Sequence, residues 1–186
     1  MADRLEQRAK VAEALVEHVL ATGLSQVSVR QLAAAAGISD RMLIYYFGNK
    51  ATAVSEVLMA AAMRMEAMLS AALPPGVRLP RQAMFDTMTA ALRSEETRLF
   101  MALWIEIIAK SFREPDPYGP VATRIARFFL QWMIDRIEGE TDDERKSNAA
   151  LVFAMIDGMA MIEACLPDEE TVPMREAVAR AVTTAP

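Results

Sequence analysis

The chain has one cysteine and one histidine among its 186 residues. Cys165 therefore has no internal disulfide partner, and within its apolar run a buried thiol is expected. His18 alone cannot assemble a histidine metal site or a catalytic triad. No glycine-rich phosphate loop is present. The carboxylate pairs Glu95–Glu96 and Asp142–Asp143 stand at expected helix starts, where the helix dipole accounts for them. These absences argue against an enzyme, and neither a metal nor a cofactor is expected. Long hydrophobic runs are also missing. AALVFAMI is cut by Asp157, far short of the roughly 18 residues a spanning helix needs, and MADRLEQRAK is charged, with no apolar segment behind it. A cytoplasmic protein with no membrane partner is expected. Alternating β-branched runs and Asn-Gly hairpin turns are absent, as are repeats and low-complexity tracts, which leaves an all-α fold.

What is present is helix-forming and of ordinary globular balance, 53% hydrophobic and 24% charged. Periodic apolar positions and stop signals predict about nine helices. They cover Arg4–Ala21, Ser28–Ala36, Ser39–Phe47, Lys50–Leu73, Arg81–Arg93, Glu95–Phe112, Val121–Glu138, Asp142–Leu166 and Thr171–Val182, with a frayed end beyond. REPDPYGP, Arg113 to Pro120, reads as a loop by composition. Net charge is −5, which disfavours indiscriminate coating of nucleic acid. The distribution is uneven: Met1–Thr52 holds six basic and five acidic residues, and the remainder carries −6.

The stretch SVRQLAAAAGISDRMLIYYFGNK, Ser28 to Lys50, has the form of two helices on a tight turn. Ser28 with Gln31 makes a capping box. Gly37 stops the first helix in a conformation glycine adopts cheaply, and Ser39 caps the second. Leu43 and Phe47 share a buried face with Tyr46 beside them, which turns Arg41 and Tyr45 outward between Met42 and Ile44. A helix braced from behind with Arg and Tyr projecting forward suits the DNA major groove. Asp40 repels phosphate, so its expected role is to cap its own helix. Lys50 opposes the dipole at a helix start, a local conflict that a bound phosphate resolves.

The ordered string of ATG at Ala21–Gly23, SVRQLAAAAGIS and LIYYFGNK resembles the DNA-binding domain of the tetracycline-repressor (TetR) family of bacterial transcription regulators. Beyond it only IDGM, Ile156–Met159, is similar to a step in the family's late helices. The resemblance implies a three-helix helix-turn-helix domain over residues 1–50 and a C-terminal helical bundle over 51–186 for ligand binding and dimerisation. It implies that Ser28 and Arg30 touch phosphate or base edges, that Ser39, Asp40, Arg41, Met42 and Tyr45 face the groove, and that Tyr46 and Lys50 clamp the backbone. Tyr46 buried inside the domain is an equal alternative. The chain departs from the family pattern around Arg41, Met42 and Ile44, the positions that set base preference.

AALVFAMIDGMAMIEACL is apolar almost all round and so requires burial on every face, by its own domain and by a second copy. A homodimer is expected, with two heads on a palindromic double-stranded operator. Phe85, Met88, Leu92, Met101, Trp104, Ile105, Ile108, Met155 and Met159, together with Phe100 and Phe112, concentrate bulky and flexible side chains, and fourteen methionines exceed what packing needs. An apolar pocket for a small apolar or amphipathic effector is one reading, which the resemblance shares; a core stripe is the other. Glu106 serves either as a polar contact in that pocket or as part of a solvated face. The resulting expectation is a repressor released by its effector. The alternative is an all-α dimeric interaction protein with no specific DNA binding.

Overall fold

The computed structural model describes residues 2–184, with side chains from Leu5 to Thr183. Among the described residues there are nine α-helices and no strand, as the sequence predicts. They are α1 Ala2–Thr22, α2 Val29–Ala35, α3 Asp40–Phe47, α4 Lys50–Ala72, α5 Arg81–Ala91, α6 Glu95–Arg113, α7 Pro115–Ile134, α8 Asp142–Glu163 and α9 Asp168–Thr184. The expected frayed end thus starts no earlier than Thr184, and its last two residues lie outside the described ones. None of these helices is long and apolar enough to cross a membrane.

At α2 and α3 the predicted caps make the predicted starts, and α8 opens in the same way. Ser28 and Gln31 form the reciprocal box at α2, the Ser39 hydroxyl accepts the Met42 N–H at α3, and Thr141 accepts the Glu144 N–H at α8. Several boundaries differ by a few residues, with α8 ending at Glu163 rather than Leu166 and α9 starting at Asp168 rather than Thr171. A short 3-10 turn, Gly23–Gln26, follows α1 where a loop is expected. α7 starts inside the proline-rich segment and stops at Ile134, not Glu138. Pro120 fits there because Asp116, the residue whose carbonyl its missing N–H would have met, is extended (φ −108°, ψ 128°) and outside the helical path.

The chain divides into two compact units, one reaching through Met65 and including Leu99–Ala126, the other Glu66–Arg98 with Arg127 onward. In the first, Leu15, Val16, Leu24, Leu32, Leu43, Leu58, Leu103, Ile107 and Ile125 are fully buried. α1 packs on α2, and α2 on α3. In the second, α5 packs on α8 and α9 around Met84, Phe85, Val152 and Val182. There an isolated parallel bridge joins Leu79 to Ile137, with Leu79 N–H on the Arg136 carbonyl and Glu138 N–H on the Leu79 carbonyl, both at 2.9 Å.

The same unit holds a buried arginine that sequence patterning does not suggest. Arg136 donates from Nε to the Leu73 carbonyl at 3.0 Å, from Nη1 to the Trp132 carbonyl at 3.2 Å and from Nη2 to Ser70 Oγ at 3.0 Å. Its guanidinium lies 4.6 Å from the Trp132 ring centroid. The charge satisfies carbonyl oxygen at the C-terminal end of α4, where the helix dipole is negative.

Three expectations are corrected. Cys165 is exposed, because α8 ends at Glu163 and the thiol stands in the turn beyond it. Phe112 is 84% exposed at the last turn of α6, outside any apolar cluster. Glu106 neither faces solvent freely nor awaits a ligand: its Oε2 accepts the Leu24 N–H at 2.7 Å, in the 3-10 turn behind α1.

Candidate nucleic-acid interface

The interface is built on Gly37. Its φ of 66° is in the left-handed region, and the turn closes with Ile38 N–H on the Ala33 carbonyl at 3.0 Å. Leu32 and Ala33 of α2 and Leu43 of α3 are each at most 1% exposed. Those contacts orient α3, since one buried side fixes which side is left outward. The outward side carries Arg41 and Tyr45, with Met42 and Ile44 on the flanks. Tyr45 is 54% exposed, Ile44 39% and Met42 36%, against 0% for Leu43 and 4% for Phe47.

The far end of α3 has its own brace. Arg8 of α1 pairs with Glu56 of α4, and its guanidinium lies 5.4 Å from the Phe47 ring centroid. Arg64 of α4 pairs with Glu17 and, at 3.6 Å, with Glu13, so α4 is tied to α1 a second time. These partners lie 47 to 51 positions apart in sequence, and a single sequence carries no signal for them.

The other candidate residues fall around this face. Arg30, Asp40 and Lys50 are exposed. Tyr46 is half-buried and meets Tyr45 edge to face, with centroids 5.6 Å apart. Ser28 is exposed, but its hydroxyl is committed to Gln31: it accepts the Gln31 N–H at 3.2 Å and donates to Gln31 Oε1 at 2.6 Å. Ser39 Oγ accepts the Met42 N–H at 3.3 Å and keeps its proton for an outside acceptor. Asp40 does not cap α3, since Ser39 does; it occupies the first helical position, where its charge suits the dipole. At the start of α4 the Asn49 side chain accepts the Thr52 N–H at 2.8 Å, so part of the expected anion-binding amide set is already used. Two cations, Arg30 and Lys50, and one hydroxyl proton thus surround a central Arg–Tyr pair flanked by apolar side chains.

Residues 12–57 match the sequence model of the bacterial regulatory proteins of the tetR family. Solved structures extend the likeness to the whole fold. A TetR-family transcriptional regulator from Cytophaga hutchinsonii has a TM-score of 0.72 at 13% identity, with 98% of this chain and 96% of that chain covered. A transcriptional regulator from Rhodococcus sp. Rha1 has a TM-score of 0.68 at 20% identity, covering 95% and 94%. Residues 12–57 thus carry the tetR-family sequence pattern, and the whole chain shares the fold of these regulators. The multidrug binding protein EbrR, solved with proflavin, is a further structural neighbour, with a TM-score of 0.66, 22% identity and coverage of 95% and 98%. No functionally curated protein matches the sequence.

The nine residues expected at an effector site divide between the two units of the fold. Phe85, Met88, Leu92 and Met159 are buried and Met155 half-buried in the second, on α5 and α8 and at the end of α5. Trp104 is buried and Met101, Ile105 and Ile108 half-buried in the first, all on α6. None of them lines a polar groove of about 530 Å³ in the second unit, whose walls include Arg78, Arg81, Glu138, Glu144 and Asn148.

Proposed function

We propose that the protein is a sequence-specific transcriptional repressor that binds a palindromic DNA operator as a homodimer and leaves it when a small apolar or amphipathic effector binds. The observation that carries this reading is the presentation of Arg41 and Tyr45 on the outward side of a helix buried behind by Leu43 and Phe47. In this reading residues 1–50 are the DNA-binding head and 51–186 the effector and dimerisation part. Arg41 and Tyr45 reach base edges, and Ser39, Arg30 and Lys50 hold phosphates. Dimerisation is supported by α8 and α9, which leave Met161, Val172 and Met174 at least 40% exposed. The effector class is supported by the half-buried Met101, Ile105 and Ile108 along α6 with the buried Trp104, and by the likeness to a multidrug binding protein.

The ligand acts by its differential affinity for two dimer arrangements, one of which spaces the heads for successive major grooves. Protection footprinting upstream of the protein's own gene, with anisotropy titrations against random duplex, tests the reading. A protected inverted repeat bound roughly a thousandfold or more above random DNA is expected. Equal affinity for all duplexes overturns it.

A further inference from the structure

The outward arc of α3 points to a specific operator chemistry. This inference rests on the DNA-binding reading above and refines it. Among the described residues of α3 there is one cation, Arg41, and one carboxylate, Asp40, which stands in the first turn. The rest of the arc is Met42, Ile44 and Tyr45, each at least 36% exposed, against 0% for Leu43 on the inward side. Burying an apolar side chain against the donor or acceptor edge of a base leaves that edge without its water partner. Thymine is the exception among the four bases, because its major-groove edge carries a methyl group. A guanidinium, in turn, matches the paired acceptors of guanine.

We propose that the head reads thymine methyl groups through Met42 and Ile44, on either side of one guanine read by Arg41. At 100° per residue Met42 lies 100° to one side of Arg41 and Ile44 about 60° to the other, with Tyr45 between them and Arg41 at the crest. The flanking pairs are therefore T·A with their methyls turned toward α3, and the three consecutive contacts make a short T- and G-containing half-site core.

The test begins with selection of duplexes from a randomised pool by the full-length chain. Each thymine of the selected site is then replaced singly by deoxyuridine, which removes only the methyl. Anisotropy titrations are expected to weaken about three- to fivefold at two positions per half-site, the effect of losing one buried methyl-sized group. Met42→Ala is expected to abolish the deoxyuridine effect at one position and Ile44→Ala at the other. Thermal melting of both variants checks that they fold as the parent does. A consensus whose thymines are all insensitive to deoxyuridine, or one with no thymine beside the guanine, overturns this inference and leaves the regulator reading standing. Selection that returns no consensus overturns both.

Discussion

Arg41 and Lys50 carry the same charge on the same exposed head but are expected to fail differently when removed. Arg41 sits at the crest of α3, so Arg41→Ala is expected to weaken operator binding by about 1–3 kcal/mol and to relax preference at one base pair. Lys50 opens α4 and, in the proposed reading, meets phosphate only. Lys50→Ala is expected to weaken all duplexes alike and to lower the slope of log affinity against log salt by about one. Titrations at four salt concentrations separate the two, and a base-selective loss for Lys50→Ala contradicts the assignment. Beneath the head, Leu43 is wholly buried, and Leu43→Ala is expected to cost about 2–5 kcal/mol in chemical denaturation. A different residue governs the alkaline limit. Burial pushes the Tyr118 phenol above its ordinary 10.0, and Lys110 over its ring draws it partly back. The unfolded chain then releases the phenol proton before the folded one does. Its contribution to stability is full below pH 10 and declines as pH rises through the folded value. Denaturation midpoints at pH 8 to 11 in the parent and in Tyr118→Phe are expected to diverge only above pH 10.

At the scale of elements, the joint between the 3-10 turn and α6 is the least forgiving place in the first unit. Gly23 has φ 65°, and a Cβ built there would lie 2.2 Å from Glu106 Oε1. Gly23→Ala is expected to lower the melting temperature more than Glu106→Ala does. The first adds backbone strain and a clash; the second loses one charge-assisted hydrogen bond, about 1–3 kcal/mol. Equal effects would place the strain elsewhere. This joint also marks where sequence reading stops. The helices, their caps and the turn at Gly37 were legible because each rests on neighbours within four residues: Ser28 with Gln31, Ser39 with Met42, Thr141 with Glu144. Glu106 and Leu24 lie 82 positions apart, and the Arg136 clasp on Ser70 and Leu73 spans more than sixty. Local spacing has no access to such contacts. Phe112 and Cys165 were misread for the opposite reason, since apolar composition was taken for burial although both sit where a helix ends. The buried and outward sides of α3 were legible, because they alternate with the helical period and Gly37 fixes where that period starts. The role of Asp40 was not, since Ser39 makes the cap.

For the whole molecule, in the proposed dimer, the affinity of two heads depends on the seam that joins them. α8 packs its Ala149, Val152, Ile156 and Met159 side inward, and leaves Ala150, Ala154 and Met161 exposed at spacings of four and seven, which is one helical face. Small side chains there let a second copy approach closely, so a charge at the centre of that face is costly on both sides of the two-fold axis. Ala154→Glu is therefore expected to give a monomer in sedimentation while melting as a folded protein, since Ala154 is exposed. The DNA consequence follows from linkage between the heads. Once one head is bound, the other sees its half-site at an effective concentration set by the tether, which raises full-site affinity over half-site affinity by about 10²–10⁴. In Ala154→Glu that ratio is expected to fall to about the statistical factor of two. A variant that becomes monomeric yet keeps the full-site advantage would mean that the heads do not act as a pair, and a variant that stays dimeric would move the seam from α8 toward the exposed Val172 and Met174 of α9.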